Sequence, residues 1–365
     1  MRYWLSIILF FNVTVIYSAD LPLNLIHLPP HFTISIYADN VPDARSMTLG
    51  DHGIVFVGTR GAGKVYALLP EKNFSKAAKI ITLASALNMP NGVVYYHHDL
   101  YVAEVHRILK FPNIEKNLEK PAFQVIYDQL PTSPHHGWRY IGVGPDQWLY
   151  VTIGAPCNVC ERQMPFATIS RLRLDGTDFQ VFAKGIRNSV GFDWNPVTKA
   201  LWFTNNERDW LGDHIPPEMI GIAPQAGMDF GFPYFWGKGH RDLPYGKEAS
   251  LKGITFPAFE LQAHVAPLGM HFYNGSMFPK SYFHQVFVAE HGSWNRTNKV
   301  GYQVVMISVK NNKPVSQQVF ASGWLQGEKY WGRPVDLLVL PDGSLLISDD
   351  YANVVYRVAA SSGAG

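Results

Sequence analysis

Cysteine is nearly missing from this 365-residue chain: Cys157 and Cys160 are the only two. A disulfide framework is thereby excluded, and so is a four-cysteine zinc site. An excess of one charge is missing too. Lys and Arg number 31 against 29 Asp and Glu, so no field points to nucleic acid or to an anionic membrane. Like-charge blocks are absent, and the 47% hydrophobic content supports a sizeable core, which argues against disorder. Uninterrupted helical periods are scarce, because 25 prolines and 31 glycines punctuate almost every window. No H-E-x-x-H or G-x-S-x-G occurs, nor a G-x-G-x-x-G after a strand. "GTRGAGKVY" has the wrong spacing for a phosphate loop and reads as turn chemistry.

Long hydrophobic runs are also rare, the exception being the N-terminus. Arg2 precedes "YWLSIILFFNVTVIY", and Ser18–Ala19 supply small residues near a cleavage point. The expectation is a signal peptide over residues 1–19, with the mature protein secreted or periplasmic and no stable membrane insertion. Sequons at Asn73, Asn274 and Asn295 matter only in a eukaryotic host.

What the chain does have is a repeat. An apolar run, a polar turn and an apolar strand recur in six segments, including "MTLGDHGIVFVGTRGAGKVYAL", "IGVGPDQWLYVTIG" and "LLVLPDGSLLISDDYANVVYRV". Their central strands are "IVFVG", "DLYVA", "WLYVT", "ALWFT", "QVFVA" and "LLISD". The first four turns, near Asp51, His98, Asp146 and Pro196, are spaced by roughly 50 residues, the length of one four-stranded propeller blade. The next turns fall near Pro279 and Asp342, so a long excursion rich in Gly, Pro and aromatics separates the fourth from the fifth. The expected fold is all-β, a six-bladed β-propeller over residues 21–360, with the first and last segments meeting in one blade. A sandwich or barrel is the alternative.

Strands in such a ring end around a central channel, where polar groups from different blades converge. Those ends read Thr59-Arg60, Glu104-Val105-His106, Asn205 to Asp209, Glu290-His291 and Asp349-Asp350. In "AKGIRNSVGFDWNP", Arg187 and Asn188 place a guanidinium fork beside an amide at a loop tip. An ion pair or an aromatic stack would use the same arginine. His135 and His136 stand just before the third blade, where a neutral imidazole could serve as a general base or be merely hydrogen-bonded.

Together with "LWFTNNERDWLGDHIPPEMI", "VFVAEHGSWNR" and "GRPVDLLVLPDGSLLISDD", these segments resemble the glucose/sorbosone dehydrogenase family. Its members are exported propellers that use pyrroloquinoline quinone (PQQ). The likeness covers nearly the whole mature chain and looks closest to the L-sorbosone dehydrogenase-like branch. It implies a PQQ- and calcium-dependent oxidation of an aldose or sugar aldehyde, with an external electron acceptor. His136 would be the general base. Arg187 and Asn188 would contact the quinone, Arg187 polarising the carbonyl beside the hydride-accepting carbon. Asn206 would touch cofactor or substrate, and Arg333 would pair with a cofactor carboxylate. The main-chain carbonyls of Glu207 and Arg208 would face calcium, an ion that prefers oxygen. Two departures stand out: Glu207 replaces a frequent Gly, and the family's quinone-gripping lysine has only Arg296, Lys299 or His291 as substitutes.

Two other readings use the same scaffold. A calcium-dependent lactonase would need Asn205, Glu207, Glu104, Glu290 and Asp349 to converge on one ion, and a non-enzymatic binding propeller would need no cofactor. Cys157 and Cys160 can form a local disulfide, which export favours, or remain two free thiols.

Overall fold

The computed structural model describes residues 21–243 and 245–361. The expected signal peptide lies outside these residues. Six sheets, each built on four antiparallel strands and one of them with a short fifth strand added, form the blades of a β-propeller. Blade 1 runs through Met47–Leu49, Val55–Val57, Val65–Pro70 and Ala77–Ala84, and blade 2 from Gly92–Tyr96 to Gln124–Tyr127. Blade 3 runs from Ile141–Val143 to Gln180–Lys184, and blade 5 from Pro267–Phe272 to Lys313–Ala321. Blade 6 closes the ring: Pro334–Val339, Leu345–Asp349 and Val354–Ala360 take their fourth strand, Phe32–Ala38, from the N-terminal side. The expected meeting of first and last segments is therefore real, and it removes the open edge that a linear array would leave.

Each central segment recognised in the sequence is the second strand of its blade. These strands are apolar almost without alternation because both of their faces are covered. Every neighbouring pair of blades shares its own buried apolar cluster, so six interfaces carry six clusters. Buried polar bonds stitch the inner strands as well: Met47 N–H donates to Asp336 Oδ2 across blades 1 and 6, and Phe272 N–H to Asp193 Oδ2 across blades 4 and 5.

The long excursion sits inside blade 4. After Phe192–Trp194, Leu201–Asn205 and Glu218–Ala223, the chain leaves the sheet and returns as the fourth strand, Phe259–Leu261. On the way, Met228–Asp229 adds to blade 3 in parallel, and Phe235–Trp236 pairs with His240–Arg241. The turns noted in the sequence all lie between first and second strands. The opposite ends of the second strands consequently share one face of the ring.

Candidate active site

On that face is a cavity of about 340 Å³. His136, Arg187, Asn188, Asn206, Glu207 and Arg333 all line it. Of the expected site residues only Arg208 turns its side chain away, to Asp242 at 2.6 Å. His291 lines the cavity, whereas Arg296 donates to the Asp213 carbonyl and Lys299 pairs with Glu328.

His136 is buried with a left-handed φ of 49°. Its Nδ1 lies 2.8 Å from the Ala155 carbonyl oxygen. A carbonyl only accepts, so Nδ1 carries the proton and Nε2 keeps its lone pair. Burial, then the charge of Arg187, holds this imidazole well below the usual histidine range. Close packing makes the approach glycine-dependent: a Cβ on Gly154 would come within 2.5 Å of the His136 Cβ.

Arg187 is held on every side. Nε donates to the Asn158 carbonyl (2.9 Å), and Nη2 to Asn158 Oδ1 and Asp209 Oδ2 (both 3.0 Å). Nη1 donates to the carbonyls of Glu207 (2.8 Å) and Asn206 (3.2 Å). A guanidinium has five N–H donors, and the wall accepts five bonds. What Arg187 offers the cavity is its charge, the fork expected to reach a ligand being engaged by the protein.

Asn188 contrasts with it. The Asn188 main chain is fixed by Asn205 Oδ1 (2.8 Å), but its side-chain amide bonds nothing among the described residues. Asn206 donates Nδ2 to the Pro267 carbonyl at 2.8 Å. Arg333 donates to the carbonyls of His291 and Gly292 and lies over the rings of Tyr302 and Tyr330. Arg60 lies over Trp138, 5.2 Å from the ring centroid. Neither Arg60 nor Arg333 has a carboxylate partner among the described residues. The two therefore line the cavity as cations without an ion-pair partner of their own.

The acids are spread unevenly. Glu207 and Glu218 are buried, and the Glu207 N–H donates to Glu218 Oε2 (2.6 Å). Burial pushes the Glu207 carboxyl up to about 7 and that of Glu218 well above its usual value. Three carboxylates that a lactonase would need are engaged elsewhere: Glu104 with Arg107, Glu290 with Gln303 and Gln317, and Asp349 with the Tyr351 and Ala352 amides. Among the described residues no three His, Cys, Asp or Glu side chains are grouped to hold a metal. An ion at this site would have to rest on main-chain oxygens, one of which, at Glu207, already accepts from Arg187.

A tricarboxylate quinone fits the donor set better than the ion does. Two unpaired guanidiniums and a free amide face the cavity, and Arg–carboxylate bonds are among the stronger polar contacts. The volume lies at the lower end of ligand pockets, about 300–1,000 Å³.

Several residues here were not singled out from the sequence. Asn158 and His264 lacked any local signal, since their partners lie in other loops, and Asp209 was marked only as one polar residue of a strand end. Trp294 lines the cavity, and Trp210 meets it edge to face with ring centroids 5.4 Å apart; the two remain 66% and 67% exposed. The loops bearing them are tied by Asn295 to Asp209 Oδ1 and by the Thr297 amide to Asp213 Oδ1, both 3.0 Å. The cysteines form a disulfide, with Cα atoms 6.1 Å apart.

Known proteins share this plan. Residues 90–291 match the glucose/sorbosone dehydrogenase family, and residues 248–359 a TrAA12-like family. An uncharacterised protein of Borreliella burgdorferi is 34% identical over 369 residues, covering 97% of this chain and 95% of the relative. The PQQ domain of pyranose dehydrogenase from Coprinopsis cinerea, in its holo form, superposes with a TM-score of 0.78 at 17% identity, over 92% of this chain and 97% of that one. The calcium structure of a Trichoderma reesei family AA12 enzyme gives 0.79 at 18% identity, over 95% and 100%. With more than half of its length matched, this chain belongs to the glucose/sorbosone dehydrogenase family.

Proposed function

We propose that this protein is a PQQ-dependent dehydrogenase that oxidises an aldose or related sugar aldehyde and passes the electrons to an external acceptor. The observation that carries the reading is the pinned tautomer of His136, which leaves a neutral Nε2 facing a cavity with two unpaired arginines. When bound, PQQ supplies the hydride-accepting carbon. Arg60 and Arg333 would hold its carboxylates, and Asn188 would give it a neutral hydrogen-bonding contact. His136 Nε2 takes the proton of the sugar hydroxyl as the C–H bond yields its hydride. The fixed charge of Arg187 favours the negative charge that develops on oxygen in that step, and its position needs no reorganisation.

Trp294 and Trp210 stand where the sugar enters, and a quinone alone would occupy much of the space beneath them. The indole faces suit the C–H faces of a pyranose ring. Calcium at the carbonyls of Glu207 and Arg208 belongs to the proposal as a dependence to be measured, since an ion there competes with Arg187 for the Glu207 oxygen. A secreted or periplasmic site of action is supported by the apolar leader and the disulfide. Among the described residues no helix is long and apolar enough to cross a membrane.

The test is dye reduction by the purified protein with PQQ, with and without calcium, over a panel of aldoses and aldonic aldehydes. Turnover of at least one sugar, abolished by omitting PQQ, is the expected result. No turnover with any sugar at saturating PQQ would reject the reading.

A further inference from the structure

The segment that ends in the Cys157–Cys160 loop bonds both candidate catalytic side chains, the loop itself holding Arg187, and nothing in the proposed chemistry uses the disulfide. Two residues before the loop, Ala155 accepts the His136 Nδ1 proton on its carbonyl and donates its own N–H to the Arg187 carbonyl at 2.7 Å. Asn158 lies between the two half-cystines. Its carbonyl takes Arg187 Nε, and its Oδ1 takes both Arg187 Nη2 and the Asp209 amide (2.8 Å). Its Nδ2 donates to the Asp209 carbonyl (3.2 Å). One side chain thus joins the segment entering blade 4 to the segment leaving its second strand.

From this we infer that Asn158, held in place by the Cys157–Cys160 disulfide, is the positioning residue of Arg187, so that reduction of the disulfide loosens the guanidinium and weakens the site. The physical reason is backbone freedom. A disulfide across two residues closes a small ring, and Asn158 and Val159 inside it have few conformations open to them. Its contribution to overall stability is small, because little entropy is removed from the unfolded chain over so short a loop. Its effect is local, on a residue whose main chain and side chain both hold Arg187. Beneath the loop, Cys157 and Val159 pack on Ala155, Ala167 and Phe232. A second anchor lies just beyond, where Arg162 pairs with Asp229 at 2.6 Å. That anchor sets the rival outcome, in which the loop stays in place without the disulfide.

Reduction takes two electrons and two protons and gives two thiols. In the experiment dithiothreitol supplies them and is itself oxidised to its cyclic disulfide. The effect on PQQ rests on the proposed function; the effect on Arg187 does not. The first readout is therefore solvent exchange of the Arg187 guanidinium protons by ¹⁵N NMR on the full chain, assigned with Arg187→Lys. Exchange should quicken about tenfold or more in Asn158→Ala and in dithiothreitol, given the strength of charge-assisted bonds. Asn158→Asp keeps the acceptor toward Arg187 and should restore protection. The melting temperature of each species separates local loosening from unfolding. The second readout is PQQ affinity by quenching of tryptophan fluorescence, expected to weaken about tenfold under the same two changes.

Unchanged Arg187 exchange in both Asn158→Ala and the reduced protein would overturn the inference. Faster exchange in Asn158→Ala alone, with the reduced protein like the oxidised one, would overturn the disulfide's part and assign the anchoring to Arg162. If the unaltered protein binds no PQQ, the proposed function fails while the NMR readout still decides this question.

Discussion

What suits the Nε2 of His136 to the proposed role of base is what Nδ1 does. With Nδ1 donating to the Ala155 carbonyl, Nε2 keeps its lone pair on a ring that lines the cavity. Burial and Arg187 lower the folded pKa, so the ring stays neutral on the acid side of 6.5 and stops acting as a base only when pH falls through the depressed value. The acid limb of kcat/KM should accordingly lie below 6.5. Arg187→Gln removes a positive neighbour and should move that limb upward, a shift read from pH–rate profiles. His136→Ala should bind PQQ as the unaltered protein does, with kcat lower by about a hundredfold to ten-thousandfold. At this scale the sequence was informative through its resemblance: His136, Asn188, Asn206 and Arg333 fall in one cavity as the matching segments implied. The saturation of Arg187 was not legible. Four of its five bonds go to Asn158 and to residues 206 and 207, and the fifth to Asp209, all contacts that exist only once loops 19 to 29 positions away have folded together.

The elements place these residues through strand ends and close approaches. Gly154 follows the second strand of blade 3, Leu149–Ile153, and lets His136 lie against the chain. Gly154→Ala should cost about 1–3 kcal/mol through overpacking and displace the histidine, measurable as a lower melting temperature with a larger loss of kcat. The second strands were readable because burial on both faces writes a continuous apolar run. The excursion in blade 4 was readable only as an insertion. Its addition of Met228–Asp229 to blade 3 involves two residues in parallel, too few to leave a pattern. The Trp210–Trp294 lip depends on loops of blades 4 and 5 meeting. Trp294→Ala should raise KM for the sugar several-fold and change kcat less, if the lip binds substrate and does no chemistry. Equal losses in kcat and no change in KM would remove it from the binding surface.

Across the whole molecule, ring closure and buried acids set the stability. A chain starting after residue 40 lacks Phe32–Ala38 and leaves blade 6 with a bare edge. It should aggregate where a chain starting at residue 21 stays monomeric, as size-exclusion chromatography would show. Asp336 joins blades 1 and 6, and burial raises its carboxyl from 3.8 to about 7. Between those values the folded state binds the proton more tightly than the unfolded one. The stabilisation is thus complete below 3.8 and lost as pH rises through about 7, a change of order 4 kcal/mol at about 1.4 kcal/mol per unit. The melting temperature should fall over that interval, and the fall should be shallower in Asp336→Asn. The six-bladed ring was legible from the repeat length, and its closure from the strand-like segments at both ends. The cavity itself was legible only as a convergence of strand ends, since Glu104, Glu290 and Asp349 share that pattern yet are held elsewhere. That a quinone is held there by otherwise unpaired arginines is the central claim, and titration of the purified protein with PQQ tests it most directly. One PQQ per chain should be taken up at micromolar concentration, with affinity at least about tenfold weaker in Arg60→Ala and in Arg333→Ala. No uptake, or uptake that ignores the loss of both arginines, would contradict it.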